Sequence, residues 1–315
     1  MNRYLLQLML SKGIGNAAIK KMLYNIRLHA DVSFKDYCCN RELLQSVLFR
    51  PAMIEETLES IVLNENVAEK MLAALEEQSV RLITENDSEY PRGIKSRLGK
   101  DCPPFLFAKG NMTLLESDSV GFCGSRHVSD KGVTITEQCA RQLVDHDITV
   151  VSGYAGGTDI AAHRATLEAG GKTIFVLAEG ILEHKIKREV KAYLNDENHL
   201  FVSQFLPESL WSASNAMRRN SVIIGLSKAM ILVESGKTGG TFAAGEESLK
   251  RKLPLFVVDY AKPEVSAEAN PFFIEHGGRP IRSRAGLPNL TDVINTPDMR
   301  TVGAGVEQMS MFSET

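Results

Sequence analysis

Residues 229–241 read AMILVESGKTGGT, an apolar run followed by a cluster of glycines. The run predicts a buried strand, the glycines predict a tight turn, and a helix is expected to begin near Thr241. The embedded Gly-Lys-Thr resembles the end of a nucleotide-hydrolase phosphate loop, which requires another glycine five positions before Gly236. Ile231 occupies that position, so the loop is not of that class. The strand–turn–helix order still points backbone N–H groups and the positive end of a helix dipole toward an anion.

Short apolar runs alternate with helical stretches from residue 119 onward. The runs are residues 119–123, 148–152, 173–177, 200–202, 229–233 and 254–258. Between them, residues 132–146 and 159–169 are long enough for crossover helices. This alternation predicts an α/β fold, an extended Rossmann-like doubly wound parallel sheet over about residues 105–260.

The first 78 residues predict a small all-helical domain of four or five short helices, because their apolar residues recur at helical spacing. Residues 10–23 have the form of a helix–hairpin–helix. Gly13 and Gly15 either present N–H groups to a DNA phosphate, beside Lys12, Lys20 and Lys21, or only form the bend. We assign residues 1–78 to the helical domain, 79–285 to the Rossmann-like domain and 286–315 to a tail without a clear winged-helix pattern.

Composition limits the function classes. Lys and Arg total 36 against 39 Asp and Glu, a net charge of −3, so any nucleic-acid binding requires a local cationic patch. The five cysteines lack C-x-x-C spacing, and the seven histidines lack metal-ligand spacing. We find no secretory signal and no run of eighteen apolar residues. These features predict a cytoplasmic protein with reduced thiols, no metal, no cofactor and no membrane span.

Three predicted strands are followed by glycine-dense loops, residues 124–126, 152–159 and 235–241. Ligands of parallel sheets bind at the carboxyl ends of the strands, so we expect one anion site that includes Arg126 and Lys237. Each loop taken alone is equally consistent with a structural turn. No loop carries the full Gly-x-Gly-x-x-Gly fingerprint, which argues against a nicotinamide or flavin dehydrogenase.

Several short motifs, taken in order, resemble the DNA-processing protein A (DprA/Smf) family. They are Gly124-Ser-Arg126, Ser152-Gly-x-Ala-x-Gly-x-Asp159 with Ala162-His163, Arg219-Asn220 with Gly225-Leu-Ser227, and Glu234-Ser-Gly236 before the Thr241 helix. With the lead-in residues 83–91 and 106–111, the resemblance covers roughly residues 80–260. It implies single-stranded DNA binding in DNA recombination and natural transformation, a homodimer, and loading of a RecA-type recombinase.

The resemblance also implies that Arg126 and the Arg219–Asn220 segment lie in a DNA pocket, and Arg218 adjoins them. The predicted DNA- or nucleotide-phosphate-binding residues are Gly124, Ser125, Arg126, Gly153, Gly156, Gly157, Arg218, Arg219, Asn220, Ser235, Gly236, Lys237, Thr238, Gly239, Gly240 and Thr241. We interpret Asp159 as a helix cap and His163, one turn later, as its partner.

The chain departs from the family pattern at three places. Ser221 stands where a second arginine is usual, and Ala216 and Met217 stand where an aromatic–proline pair is usual. Residues 182–189 replace a tyrosine–proline stretch and offer Lys185, Lys187 and Arg188 as cations, although such a run is more typical of a solvated helix face.

Two other functions remain open. A nucleotide sensor would use the same anion site. A nucleoside-monophosphate phosphoribohydrolase of the same superfamily would use Glu246, because residues 239–247 are similar to the Pro-Gly-Gly-x-Gly-Thr-x-x-Glu motif of those enzymes. The proline and one glycine of that motif are absent, and no second carboxylate is paired with Glu246. A non-catalytic DNA-binding protein is therefore the leading hypothesis.

Overall fold

The computed structural model describes residues 3–48 and 50–298. The N-terminal region consists of α1 (Arg3–Leu10), α2 (Asn16–Leu28), α3 (Phe34–Cys39), α4 (Arg41–Val47), α5 (Ile54–Leu63) and α6 (Glu65–Glu77). The expected four or five helices were too few. Asn40 ends α3, and its side chain accepts a hydrogen bond from the Leu43 N–H (3.0 Å), so one polar residue separates two helices.

A nine-stranded sheet forms the centre of the molecule, in the order β1-β2-β6-β5-β4-β3-β7-β8-β9. The strands are β1 (Arg81–Thr84), β2 (Phe105–Gly110), β3 (Ser119–Cys123), β4 (Thr149–Ser152), β5 (Thr173–Val176), β6 (His199–Ser203), β7 (Ala229–Leu232), β8 (Leu255–Val258) and β9 (Arg279–Ile281). All pairs from β6 to β9 are parallel, whereas β2 is antiparallel to both β1 and β6. The predicted α/β class with a large parallel sheet is confirmed. The sheet is wider than expected, and its β1–β2 edge is antiparallel.

Helices connect the strands and cover both faces of the sheet. They are α7 (Arg92–Leu98), α8 (Asp130–Val144), α9 (Thr158–Glu168), α10 (Arg188–Lys191), α11 (Ala213–Leu226), α12 (Gly240–Lys250), α13 (Asn270–Glu275) and α14 (Thr291–Ile294), with a small ladder of β10 (Ser283–Arg284) and β11 (Leu287–Pro288). Val150 packs in one apolar cluster with Leu143 of α8, while its neighbour Val151 packs in another with Val222 of α11. This alternation makes the sheet doubly wound.

The connectivity places the functional loops at one point. From β3 the chain proceeds to β4, β5 and β6 on one side, then returns to β7 on the other side of β3. The loops after β3 and β7 therefore diverge at a topological switch point, where ligands bind in such sheets. Glu234, fully buried after β7, accepts hydrogen bonds from the N–H (2.9 Å) and hydroxyl (2.5 Å) of Ser129, the cap of α8. These bonds tie the two loops together.

The helical region and the sheet share one apolar cluster, which joins Leu6, Met22 and Tyr37 to Phe107 and Phe201. The domain boundaries at residues 78 and 285 stay a prediction. Much of the predicted tail, residues 299–315, lies outside the described residues. Among the helices that the structure describes, none has the length and apolar character needed to cross a membrane.

Candidate functional site

A cavity of about 590 Å³ opens at the carboxyl ends of β3 and β7, and we call it the central cavity. It is lined by all three glycine-dense loops, through residues 124–126 after β3, Ala155 and Asp159 after β4, and Gly236 with residues 238–241 after β7. Helix α11 contributes Arg219 and Asn220. The structure thus brings the three loops into one cavity.

The first turn of α12 faces this cavity. Gly239 precedes the helix with φ +97°, a conformation that favours glycine. A Cβ on Gly239 would meet nothing within 4 Å, and one on Gly240 would meet only the Met217 Sδ at 4.0 Å. The Asn220 side chain donates to the Gly240 carbonyl (3.2 Å) and so fixes the turn. Backbone N–H groups at this helix start are accessible to an anion.

Arg126 is the exposed cation of the central cavity. Its guanidinium lies 5.2 Å from the ring centroid of Trp211, the one tryptophan of the chain, which is 52% exposed. No carboxylate oxygen of residues 3–48 or 50–298 lies within 4.0 Å of Arg126, so its charge is available to a ligand. Sequence analysis missed Trp211. The available signal was a lone tryptophan shortly before Ala216, where the family's usual aromatic is absent.

Arg219 differs from Arg126. It is 7% exposed, and its Nη2 atom lies 3.2 Å from Asp159 Oδ2. Asp159 also accepts from the Ser152 hydroxyl (2.9 Å) and the Ala155 N–H (3.2 Å). A Cβ on Gly153 would come within 1.7 Å of the guanidinium. Arg219 therefore links α11 to the β4 loop through a buried ion pair, and its charge is already neutralised.

His163 does not bond to Asp159, so that expectation was wrong. Its Nδ1 lies 2.6 Å from Thr173 Oγ1 and its Nε2 lies 2.7 Å from the Gly153 carbonyl. Burial lowers the pKa of His163 to about 4, which keeps the imidazole neutral near pH 7. The ring joins α9 to β5 and to the β4 loop.

Asp159 does not cap α9 either, because Gly157 is the N-cap and, in the described part of the chain, no side chain bonds to the free N–H groups of that helix. The Asp159 carboxylate accepts from the Ser152 hydroxyl, the Ala155 N–H and Arg219, so the contacts of both side chains are structural but differ from the predicted ones.

Several predicted residues lie beside the central cavity instead of lining it. They are Gly153, Gly156, Gly157, Arg218, Ser235 and Lys237. The backbone N–H of Ser235 donates to the buried Asn270 side chain (3.0 Å). Lys237 is exposed and pairs with Glu268 (3.3 Å) outside the lining of the central cavity, and its role as a second cation stays a prediction. Arg218 lies over the Phe205 ring, 5.5 Å from its centroid.

A second cavity of about 460 Å³ adjoins the first, and we call it the lysine cavity. The two share Arg126, Ala155 and Trp211, and the second is also lined by Tyr154, Gly156, Glu179, Glu183, Lys185 and Lys187. The Lys187 ammonium donates to the Tyr154 carbonyl (2.6 Å), and burial lowers the pKa of Lys187. Residues 182–187 are a loop, so the expected solvated helix face is wrong for this stretch.

Glu246 lies on the exposed side of α12 and does not line the central cavity. The alternative catalytic carboxylate is therefore outside the cavity that the glycine-dense loops line. In the described part of the chain, no group of three or more His, Cys, Asp or Glu side chains is arranged to hold a metal ion.

The comparisons with known proteins agree with this architecture. A family model described as DNA recombination-mediator protein A matches residues 81–287. DNA processing protein DprA of Bacillus subtilis is 32% identical over 193 residues, 60% of this chain and 64% of that protein. The Streptococcus pneumoniae protein of the same name is 29% identical over 185 residues, 58% of this chain and 65% of that protein. Each match covers less than two thirds of the relative's own length.

Two solved structures share the fold. That of DNA processing protein A from Streptococcus pneumoniae has a TM-score of 0.78 at 24% identity, covering 95% of this chain and 99% of that chain. That of DNA processing protein A from Helicobacter pylori, described as showing the single-stranded DNA binding mode of that protein, has a TM-score of 0.57 at 22% identity. It covers 69% of this chain and 94% of that chain.

Proposed function

The chain belongs to the DNA recombination-mediator protein A family, and from this premise we propose that it binds single-stranded DNA through the central cavity, in DNA processing or recombination. One observation carries the proposal. Arg126, which has no carboxylate partner in the described part of the chain, lies against the exposed Trp211 at the mouth of a glycine-lined cavity. The Helicobacter pylori relative, described as binding single-stranded DNA, supports the choice of ligand.

The chemistry of the cavity fits an unpaired strand. The first turn of α12 and the glycine loops let a phosphate approach the backbone closely. Arg126 adds a permanent charge and a planar fork, and the Trp211 ring offers a face on which an unpaired base can stack. Such stacking contributes about 1–3 kcal/mol per base. A base that is paired inside a duplex cannot reach this ring, so the ring favours single strands. Phosphate binding by Arg126 and stacking on Trp211 do not distinguish one base from another, so we expect little sequence preference.

The arrangement of cavities favours a strand over a small nucleotide. The central and lysine cavities meet at Arg126 and Trp211, so a strand that passes this pair lies along both. In the lysine cavity such a strand would also lie beside Lys185 and Lys187. A nucleotide sensor would need only the central cavity. We include in the proposal the homodimer and the transfer of DNA to a RecA-type recombinase that the family resemblance implies.

Arg126→Ala tests this function. We expect the affinity for labelled single-stranded oligonucleotides to fall about tenfold or more, since a charged hydrogen bond contributes about 1.5–3 kcal/mol. The slope of log affinity against log salt should flatten by about 0.7, because one phosphate contact is lost. Fluorescence anisotropy at two salt concentrations measures both quantities. Quenching of the single Trp211 by unlabelled DNA reports binding in the wild-type protein independently.

Lys237→Ala is the matched control, since it removes the same charge from a side chain paired with Glu268 outside the cavity lining. Its affinity should stay within about twofold of wild type, because exposed pairs contribute little. Equal binding by wild type and Arg126→Ala, or equal affinity for single strands and duplex, would contradict the proposal. Complete competition by equimolar free nucleotide would instead support the sensor.

Gly240→Leu should separate binding from folding. The surroundings leave room for a side chain at this position, and residue 240 does not adopt a positive φ. A leucine would extend over the mouth of the central cavity, so we expect at least a tenfold loss of DNA affinity. The free energy of unfolding should change by less than about 1 kcal/mol, because leucine favours a helix over glycine. Ala73→Leu, at an exposed position of α6, is the control. Unchanged DNA binding by Gly240→Leu would contradict the proposal that DNA binds at the mouth of the central cavity beside the first turn of α12.

A further inference from the structure

The surface of the central cavity continues toward the helical region. A cavity of about 360 Å³, the bridge cavity, shares Met217 and Asn220 with the central cavity and is also lined by Arg218. At its other end it reaches Asn16, the first residue of α2, and Asp101. A ligand that leaves the central cavity over Arg218 therefore arrives at α2.

A fourth cavity of about 440 Å³, the α2 cavity, follows along the same helix. It is lined by Lys20, Lys21 and Tyr24 of α2 and by Lys100. Lys20 lies one helical turn beyond Asn16, a rise of about 6 Å. Lys100 precedes Asp101 in the chain, and its carbonyl accepts a hydrogen bond from the Lys20 ammonium (2.6 Å). The bridge and α2 cavities are thus consecutive along one surface.

The lysines of the α2 cavity have no carboxylate partner in the described part of the chain, although the Lys20 ammonium donates to the Lys100 carbonyl. Within residues 3–48 and 50–298, no carboxylate oxygen lies within 4.0 Å of the Lys20, Lys21 or Lys100 ammonium groups. By contrast, Lys12 and Arg41 of the same region each pair with a glutamate of α5. Three cations without carboxylate partners in one groove indicate a polyanionic ligand.

Most acidic side chains that line the bridge and α2 cavities form ion pairs with other residues of the protein. In the bridge cavity, Asp101 and Glu247 both bind Arg251, at 3.0 and 2.5 Å. Glu85 is the acidic member among the residues lining the α2 cavity, against three lysines. The balance of charge along the path is therefore positive where it reaches α2.

Tyr24 adds a feature of nucleic-acid sites. Its side chain is 53% exposed, although Tyr37 and Tyr90 are buried, and the Arg27 guanidinium lies 5.4 Å from its ring centroid. This cation over an exposed aromatic ring repeats the Arg126–Trp211 arrangement. Such rings stack on unpaired bases with little sequence preference.

The turn between α1 and α2 does not contribute to the cationic surface of the α2 cavity. The Lys12 N–H donates to the Ser60 hydroxyl (2.9 Å), and Gly13, at φ +85°, lies against Thr57. The turn thus packs on α5, which favours the bend interpretation of its glycines. The side chains available to a ligand lie on the outward face of α2, because Met22 and Leu23 face the core.

We propose that Lys20, Lys21, Tyr24 and Lys100 form a second contact surface for the single-stranded nucleic acid held in the central cavity. The inference rests on the proposed function and extends it to the helical region. The strand runs from the Arg126–Trp211 pair over Arg218 to α2, where the ammonium groups contact phosphates and Tyr24 stacks on a base. Short strands occupy the central cavity alone, and longer strands reach both surfaces.

The test compares oligo-thymidylates of roughly 6 and 20 nucleotides, lengths that bracket most single-strand site sizes. We expect the double variant Lys20→Gln, Lys21→Gln to bind the short strand within twofold of wild type and the long strand about tenfold more weakly. The salt slope for the long strand should fall by about 1.4, for two lost phosphate contacts. Tyr24→Ala should also weaken only the long strand. Lys12→Gln, Arg41→Gln removes the same charge from the α5 side and should bind both lengths like wild type.

The outcomes separate the two proposals. If both α2 variants bind the long strand like wild type while Arg126→Ala weakens both lengths, the second surface is overturned and the proposed function stands. If Arg126→Ala is without effect on either length, the proposed function fails and the second surface fails with it. Thermal melting of each variant checks that a lost affinity is not lost folding.

Discussion

Gly157→Ala is expected to lower the free energy of unfolding by about 2–6 kcal/mol. Gly157 adopts φ +72°, and a Cβ there would lie 2.4 Å from the Ser125 carbonyl oxygen and 2.6 Å from that of Arg126. The strained backbone costs about 1–3 kcal/mol. The overpacking costs a similar amount, about 1–3 kcal/mol, because both contacting atoms are backbone and cannot rotate away. Urea denaturation followed by circular dichroism measures the difference.

Gly156→Ala is the control at the neighbouring position. A Cβ on Gly156 would meet nothing within 4 Å, and its φ is not positive, so the change should stay within about 0.5 kcal/mol. The Thr158 N–H donates to the Ser125 carbonyl (3.2 Å), so relief of the clash must move the loop that carries Arg126. DNA affinity should fall even at temperatures where Gly157→Ala is folded. Equal stability of the two variants would contradict this contact between the loops.

The centre of the sheet was predictable, and its edges were not. Parallel strands buried on both faces are continuous apolar runs, so residues 173–177 and 229–233 are recognisable without a partner. Strand β1, Arg81–Thr84, contains four residues of mixed polarity and lies at one edge. Strand β9 at the other edge contains Pro280, which lowers its strand signal. Both edge strands depend on pairing that local sequence does not encode.

The candidate site also has one feature that the sequence predicts and one that it does not. The meeting of the glycine loops follows from parallel topology, which brings the carboxyl ends of strands to one edge. The difference between Arg126 and Arg219 does not follow, because it depends on which carboxylate lies nearby in the fold. Asp159 is 60 residues from Arg219 in the chain, and Trp211 meets Arg126 across a comparable separation. Local motifs identify such residues but cannot assign their charges to a ligand or to the fold.

We expect Asp159→Ala to lower the free energy of unfolding by about 3–5 kcal/mol, because Asp159 forms a buried ion pair with Arg219. Both side chains are less than a tenth exposed, and the substitution leaves the Arg219 charge buried without its partner. It also removes the acceptor of the Ser152 hydroxyl and the Ala155 N–H. Glu268→Ala is the control, because it breaks the exposed pair with Lys237 beside the same cavity and should cost about 0–1 kcal/mol.

A double-mutant cycle determines whether the charge itself is responsible. If the loss comes from an uncompensated cation, Asp159→Ala combined with Arg219→Met should recover part of the stability, since methionine fills similar space without a charge. DNA binding by the double variant is then informative. Retained affinity would mean that Arg219 acts only in the fold and that Arg126 holds the phosphate. A double variant that is less stable than Asp159→Ala alone would show that Arg219 contributes packing beyond its ion pair and would contradict the charge explanation.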